Sequence, residues 1–136
     1  MRPTQRHRVL IVDDDVRVLR HTARQLGEVF DVVCAADAHV ALMHVCAAAF
    51  HAVLTDFEMP GPNGLWLLEQ LSVSQPSVRR VLTSGRPAEV FEEAMRIGLV
   101  HTFVPKPASL DGVHAAIGLV GGGVLDDGGV GVDQVA

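Results

Sequence analysis

Apolar residues along the 136-residue chain fall into short continuous runs that alternate with segments of helical spacing. Val9 to Val12 form the first run. Val16, Leu19, Ala23 and Leu26 then recur every three or four positions, with Arg17, Arg20 and Arg24 on the other side. This predicts a strand, then an amphipathic helix ending near Gly27. Val32 to Ala35 predicts a second strand, and Asp37 is placed to cap a helix reaching about Ala48. Ala52 to Asp56 is a third strand, and after a turn-rich segment a third helix spans about Leu65 to Ser72. Val78 to Thr83 reads as a fourth strand ending at Ser84-Gly85, followed by a helix from Ala88 to Ile97. Val100 to Val104 reads as a fifth strand ending at Pro105-Lys106-Pro107, and Ser109 can cap a last helix through about Leu119.

Strands alternating with helices imply βαβ units and an α/β domain whose parallel sheet is covered on both faces. Right-handed crossovers leave the doubly wound arrangement, in which ligands bind beyond the carboxyl ends of the strands. The polar residues collect at those ends. Asp13, Asp14 and Asp15 follow strand one, Asp56 ends strand three, Ser84 follows strand four and Lys106 follows strand five. With strands one and three adjacent at about 4.8 Å, their terminal carboxylates converge in one cleft.

The segment Phe57-Glu58-Met59-Pro60-Gly61-Pro62-Asn63-Gly64 stiffens the rim beside Asp56. Pro60 and Pro62 fix φ and remove two donors, while Gly61 and Gly64 permit backbone angles that other residues avoid. Asp56 is therefore held at an edge, where it either meets a ligand or merely ends a strand and caps the next helix.

Composition narrows the possibilities. Apolar residues make up 49% of the chain, aromatics 4%, and Tyr is absent, so one domain with an aliphatic core is expected. A net charge of -5 argues against direct nucleic-acid binding. No apolar run is long enough to cross a bilayer and the amino terminus lacks the apolar segment of a signal peptide, so no membrane association and a cytoplasmic location are expected. Cys34 and Cys46 lack CxxC spacing and have apolar neighbours, which predicts buried, reduced thiols. The seven histidines show no paired ligand spacing, which argues against a histidine metal site.

Two carboxylates about 4 Å apart repel by roughly 4 kcal/mol at an effective dielectric of 20, so such a cluster raises a pKa or binds a cation. Oxygen-only ligands suit Mg²⁺. A hard cation beside an ionised Asp, with a Lys and a hydroxyl opposite, can surround a phosphoryl group. The carboxylate needs no general base to attack, and the product is an aspartyl phosphate.

The set Val12-Asp13-Asp14-Asp15, Asp56-x-x-Met59-Pro60-x-x-x-Gly64, Thr83-Ser84-Gly85 and Phe103-Val104-Pro105-Lys106-Pro107 resembles the receiver domain of bacterial response regulators. The resemblance covers residues 8 to 119 and implies a flavodoxin-like fold with strand order 2-1-3-4-5. It implies that Asp56 is the phosphoacceptor, loaded from a phosphohistidine on a sensor histidine kinase or a histidine phosphotransfer protein. Asp14, Asp56 and the Glu58 backbone carbonyl would ligate Mg²⁺ directly, and Asp13 largely through water. Asp15 reads as a helix-start residue. Lys106 would pair with the phosphoryl oxygens, and Ser84 would be the switch hydroxyl. Phe103 is either the aromatic that follows that switch or a core ring. Glu58 and Arg86 sit where receivers tune phosphoryl loss, and they either face each other across the cleft mouth or stand as independent charges. The surface of the fourth helix, fifth strand and fifth helix would dock a partner or form a homodimer. Arg17, Arg20 and Arg24 mark either a kinase-docking face or a solvated one. The signalling switch would lose its phosphoryl group slowly rather than turn over as an enzyme.

By this reading residues 1–7 are a loose basic end, 8–120 the receiver, and 121–136 a glycine-rich tail or the stub of a linker to an output domain. A second reading is a receiver-like scaffold that works without phosphorylation. A third takes Asp13 as the nucleophile of a haloacid-dehalogenase-like phosphatase, with Asp126 and Asp127 as its final acidic pair. The chain is short for that enzyme, lacks a cap-like insertion, and would leave Asp56 without a role.

Overall fold

The computed structural model describes residues 6–118. The tail from 121 to 136, with Asp126 and Asp127, lies outside the described residues, as do residues 1–5, Leu119 and Val120. Strands β1 (Arg8–Val12), β2 (Asp31–Ala35), β3 (Ala52–Asp56), β4 (Arg79–Ser84) and β5 (Thr102–Pro105) form one parallel sheet in the order β2-β1-β3-β4-β5. Between and after them run α1 (Val16–Leu26), α2 (Ala38–Ala47), α3 (Gly64–Ser74), α4 (Glu92–Arg96) and α5 (Leu110–Ile117). β3 has the bounds read from the sequence; β1 and β2 begin one residue earlier, at Arg8 and Asp31, while β4 and β5 begin one and two residues later and end one residue later, at Ser84 and Pro105.

Alternation along each strand divides the core into two layers. Leu10, Val12, Val53 and Leu82 face the layer under α2, α3 and α4. Val9, Ile11, Leu54 and Val81 face the layer under α1 and α5. All eight are at most 4% exposed, which is why these strands read as unbroken apolar runs.

The predicted caps form. Asp15 accepts from Arg17 N at 3.0 Å, Asp37 from Val40 N at 2.8 Å, and Ser109 from Gly112 N at 3.0 Å. Three expectations are corrected. The fourth helix is broken, a 3₁₀ turn over Ala88–Phe91 preceding α4. Val16 is 49% exposed, being in the first turn of α1, and only Leu19 and Leu26 of its apolar stripe are buried. Cys34 and Cys46 are both exposed rather than buried. Cys34 lies on the edge strand β2, and Cys46 on the solvent side of α2, where apolar neighbours in sequence say nothing about orientation. Gly61 has φ 79°, as expected of a turn, but Gly64 does not have positive φ. Its requirement is spatial and is taken up below.

At the amino end of the sheet, Arg80 is 6% exposed and donates to the carbonyls of Leu99 (2.8 Å), Gly98 (3.0 Å) and Pro76 (3.1 Å). It ties the turn before β5 to β4, so both strands reach the opposite rim in register. Among the described residues no helix is long and apolar enough to cross a membrane.

Candidate functional site

Register builds the site. Val12 pairs with Thr55 across β1 and β3, so the next residues, Asp13 and Asp56, leave the sheet side by side. Ser84 pairs with Pro105 across β4 and β5, and Lys106 follows one residue later, its amide donating to the Ser84 carbonyl at 2.9 Å. The four strand ends therefore deliver two carboxylates, a hydroxyl and an ammonium to one rim.

Asp13 and Asp56 are buried at 3% and 6% exposure, whereas Asp14 is exposed. Their carboxylate oxygens and that of Asp14 all lie within 4.8 Å of one another. Lys106 Nζ stands between the two buried acids, 3.2 Å from Asp13 Oδ2 and 3.3 Å from Asp56 Oδ1. Asp13 Oδ1 also accepts from the Asp15 amide at 2.9 Å, which locks the first carboxylate in place. Asp56 does not cap α3. Asn63 does so instead, accepting from Trp66 N at 2.9 Å.

Burial pushes the Asp56 carboxyl above its usual range, and the Asp13 charge adds to that push against the opposing pull of Lys106 and the Glu58 backbone. Burial alone would lower the Lys106 ammonium, but Asp13 and Asp56 more than offset it and hold it above its ordinary value. One ammonium cannot compensate three carboxylates, so the cluster retains a surplus of negative charge in a partly desolvated cleft. That surplus, with oxygen donors alone, fits a hard divalent cation such as Mg²⁺.

Ser84 is 1% exposed, and its Oγ accepts from the Arg86 amide at 3.0 Å. Arg86 also donates from Nε to Glu58 Oε2 at 2.8 Å and forms an ion pair with the same oxygen, so the two charges do face one another across the mouth. Its guanidinium carbon lies 5.6 Å from the Phe57 ring centre.

Phe57 and Phe91 were not marked by the sequence reading, yet they connect the site to Phe103. Phe57 meets Phe91 edge-on at 5.0 Å, and Phe91 meets the half-buried Phe103 at 5.2 Å. Three of the five Phe residues of an aromatic-poor chain thus line up from beside Asp56 to β5. Their spacing in sequence carries no signal, since each comes from a different element. Thr83 was quoted in the motif around Ser84 but given no role of its own. Its buried Oγ1 has no hydrogen-bond partner among the described residues, and it lines, with Asp13, Lys106, Arg17 and His21, a cleft of about 640 Å³ between α1 and the β5–α5 turn. Arg17, Arg20 and Arg24 are exposed on α1, and Arg17 borders this cleft.

A family model for the response regulator receiver domain matches residues 9–118. The chain is 31% identical over 109 residues to the uncharacterized transcriptional regulatory protein YesN of Bacillus subtilis (strain 168), covering 76% of this chain and 29% of that protein. It therefore spans less than a third of that relative's length. Among solved structures it is similar to one described as adenylate cyclase from Rhodopirellula baltica, at TM-score 0.78 and 27% identity, covering 82% of this chain and 84% of that one. A CheY-like response regulator receiver domain protein from Methanospirillum hungatei JF-1 shares the fold, at TM-score 0.75 and 24% identity over 84% of this chain and 94% of that one. The chain belongs to the response regulator receiver domain family.

Proposed function

We propose that the chain is a phosphoaccepting switch in which Asp56 takes a phosphoryl group from a phosphohistidine on a sensor histidine kinase or phosphotransfer protein. The observation that carries this reading is the pairing of one ammonium, Lys106, with two buried carboxylates at the rim of the sheet. An Asp56 oxygen forms the bond to phosphorus as the phosphorus–nitrogen bond breaks, and the electron pair returns to the donor imidazole. Asp13, Asp14, Asp56 and the Glu58 carbonyl would hold Mg²⁺. When bound, that ion offsets charge on the transferred oxygens. Lys106 moves from its carboxylate partners to the phosphoryl oxygens, and the Asp15 amide keeps Asp13 in position. The cleft beside α1, with its exposed arginines, is where the donor approaches.

Incubation with acetyl phosphate should add about 80 Da to the intact mass in Mg²⁺ and nothing in EDTA. No adduct under either condition would leave the phosphorylation-independent scaffold as the better reading. An adduct that survives Asp56→Asn and disappears in Asp13→Asn would favour the phosphatase chemistry.

Ser84 acts as the switch hydroxyl, exchanging the Arg86 amide for a phosphoryl oxygen. A hydrogen bond to a charged group contributes about 1.5 to 3 kcal/mol, enough for a roughly tenfold to hundredfold shift between two states. Phe103 reports the shift through its contact with Phe91, and the surface of α4, β5 and α5 reads it by docking a partner or a second copy. Ser84→Ala should accept the phosphoryl group yet lose the change in Phe103 ring resonances that loading causes in the native chain. An unchanged NMR response would remove Ser84 from the switch.

Glu58 and Arg86 set the lifetime of the loaded state by covering the path of attacking water. Their side chains are 55% and 51% exposed, so the pair contributes less than about 1 kcal/mol to stability. Arg86→Ala should leave the melting temperature nearly unchanged, speed phosphoryl loss, and show no further effect when combined with Glu58→Ala. Additive effects would mean that the two act separately.

A further inference from the structure

Helix α2 reads Ala38-His39-Val40-Ala41-Leu42-Met43-His44-Val45-Cys46-Ala47 and contains no Asp, Glu, Lys or Arg. Ala38, Ala41 and Val45 fill the core layer. The opposite side is nearly as apolar, because His39, Val40, Met43, Cys46 and Ala47 are exposed, Met43 to 70%. Their spacing of three to four places them in one continuous outward stripe. A surface helix ordinarily sets an apolar inner face against a charged outer one, and a helix that is apolar all round belongs in an interior. Neighbouring α3 extends the patch. Its half-buried Trp66 meets the His39 ring at 5.5 Å, Val73 is 85% exposed, and Glu69 is its sole charged residue.

We infer that the α2–α3 face is covered by a second copy of this chain, in a twofold contact centred on Met43. The distribution of charge selects the occupant. In a twofold contact, residues near the axis meet their own copies, so a charged patch meets like charge and an uncharged apolar patch does not. Two chains that each carry -5 repel least when they approach through a face with one carboxylate apiece. The other helical surfaces bear Arg17, Arg20 and Arg24 on α1, Glu89, Glu92, Glu93 and Arg96 around α4, and Asp111 on α5. A partner of complementary charge is drawn to those, and α2 offers it nothing to pair with.

Area sets the strength. Ten residues make α2 about 15 Å long. With α3 roughly 10 Å away, the face is small beside the approximately 800 Å² per partner of a standard interface. The dimer is therefore weak and reversible. It leaves Asp56 and the α4–β5–α5 surface open, since α2 packs over β1 and β2, across α3 from α4.

Sedimentation velocity of the unphosphorylated full chain over roughly 10 µM to 1 mM tests this. The native chain, Asp56→Asn and Ile97→Glu should dimerise alike, Ile97 being a 60% exposed residue at the end of α4. Met43→Glu, with an unchanged thermal melt, should associate at least about tenfold more weakly. In Cys34→Ser, whose sole thiol is Cys46, maleimide labelling should slow as the chain dimerises. A monomer across the whole range, loss of association in Ile97→Glu with retention in Met43→Glu, or labelling of Cys46 that does not slow would each overturn the inference. Because phosphate is absent throughout, failure of the phosphoacceptor reading leaves these outcomes untouched.

Discussion

Asp56→Asn is expected to abolish phosphoryl incorporation from acetyl phosphate and, in the same protein, to raise the melting temperature measured in EDTA. The first effect follows because an amide oxygen is no substitute for an ionised carboxylate as nucleophile. The second follows from burial. The Asp56 carboxyl is raised from its ordinary 3.8 chiefly by desolvation, with Asp13 adding and Lys106 opposing. A group whose pKa is higher in the folded state holds its proton more tightly there, so its contribution to stability is complete below the unfolded value and is lost as pH rises through the folded one. At neutral pH the ionised Asp56 therefore lowers stability, and a neutral amide of the same shape relieves it. In EDTA the gap between the two proteins should close as the pH falls into the acid range and Asp56 protonates.

Mg²⁺ reverses the order. A cation bound by the folded cluster alone stabilises by about 2.7 kcal/mol at a hundredfold excess over its dissociation constant. For a chain of this size that is a rise of roughly 10 °C. The native chain should gain it, and Asp56→Asn should gain little. If the native chain melts above Asp56→Asn in EDTA, Lys106 outweighs burial and the electrostatic account of the cleft is wrong. Phosphoryl incorporation retained in Asp56→Asn would move the acceptor to another residue.

The architecture was legible because β1, β3 and β4 are buried on both faces, and a strand with no solvent side reads as an unbroken apolar run. The site was legible for a related reason. In a parallel sheet every strand points the same way, so chain order alone brought Asp13, Asp56, Ser84 and Lys106 to one edge. What the sequence hid depends on contacts between elements remote along the chain. The break at Phe91 seats that ring between Phe57 and Phe103, and helical periodicity from Ala88 to Ile97 does not encode it. The pairing of Glu58 with Arg86 spans two loops, so the sequence left it open beside two independent charges, and only the structure joins them. Cys46 was misplaced because apolar neighbours predict burial only when a helix has a polar face to give the solvent, and α2 has none, and Cys34 because its strand β2 is the edge of the sheet.

Gly64→Ala should destabilise the chain more than Gly61→Ala, although Gly61 has the unusual backbone angle. Gly61, with φ 79°, has nothing within 4 Å of an added Cβ, so alanine there meets conformational strain alone, on the order of 1 kcal/mol. Gly64 opens α3, and its amide donates to the Phe57 carbonyl at 2.9 Å. An added Cβ would sit 2.3 Å from the Asp56 carbonyl oxygen and 3.0 Å from Leu82 Cδ1. Helix propensity favours alanine over glycine by at most about 1 kcal/mol, and by less in a first turn. Overpacking costs about 1 to 3 kcal/mol even where side chains can yield, and here the obstacle is the backbone of the acceptor residue itself. Sterics wins, and the expected loss is about 2 to 3 kcal/mol, read as a fall of roughly 10 °C in a thermal melt. Because the strand end must shift to relieve the contact, Asp56 moves relative to Asp13 and Lys106, and loading from acetyl phosphate should slow in the fraction that remains folded. A smaller loss for Gly64→Ala than for Gly61→Ala would show that freedom of the loop backbone, rather than close approach of α3 to β3, is what the turn requires.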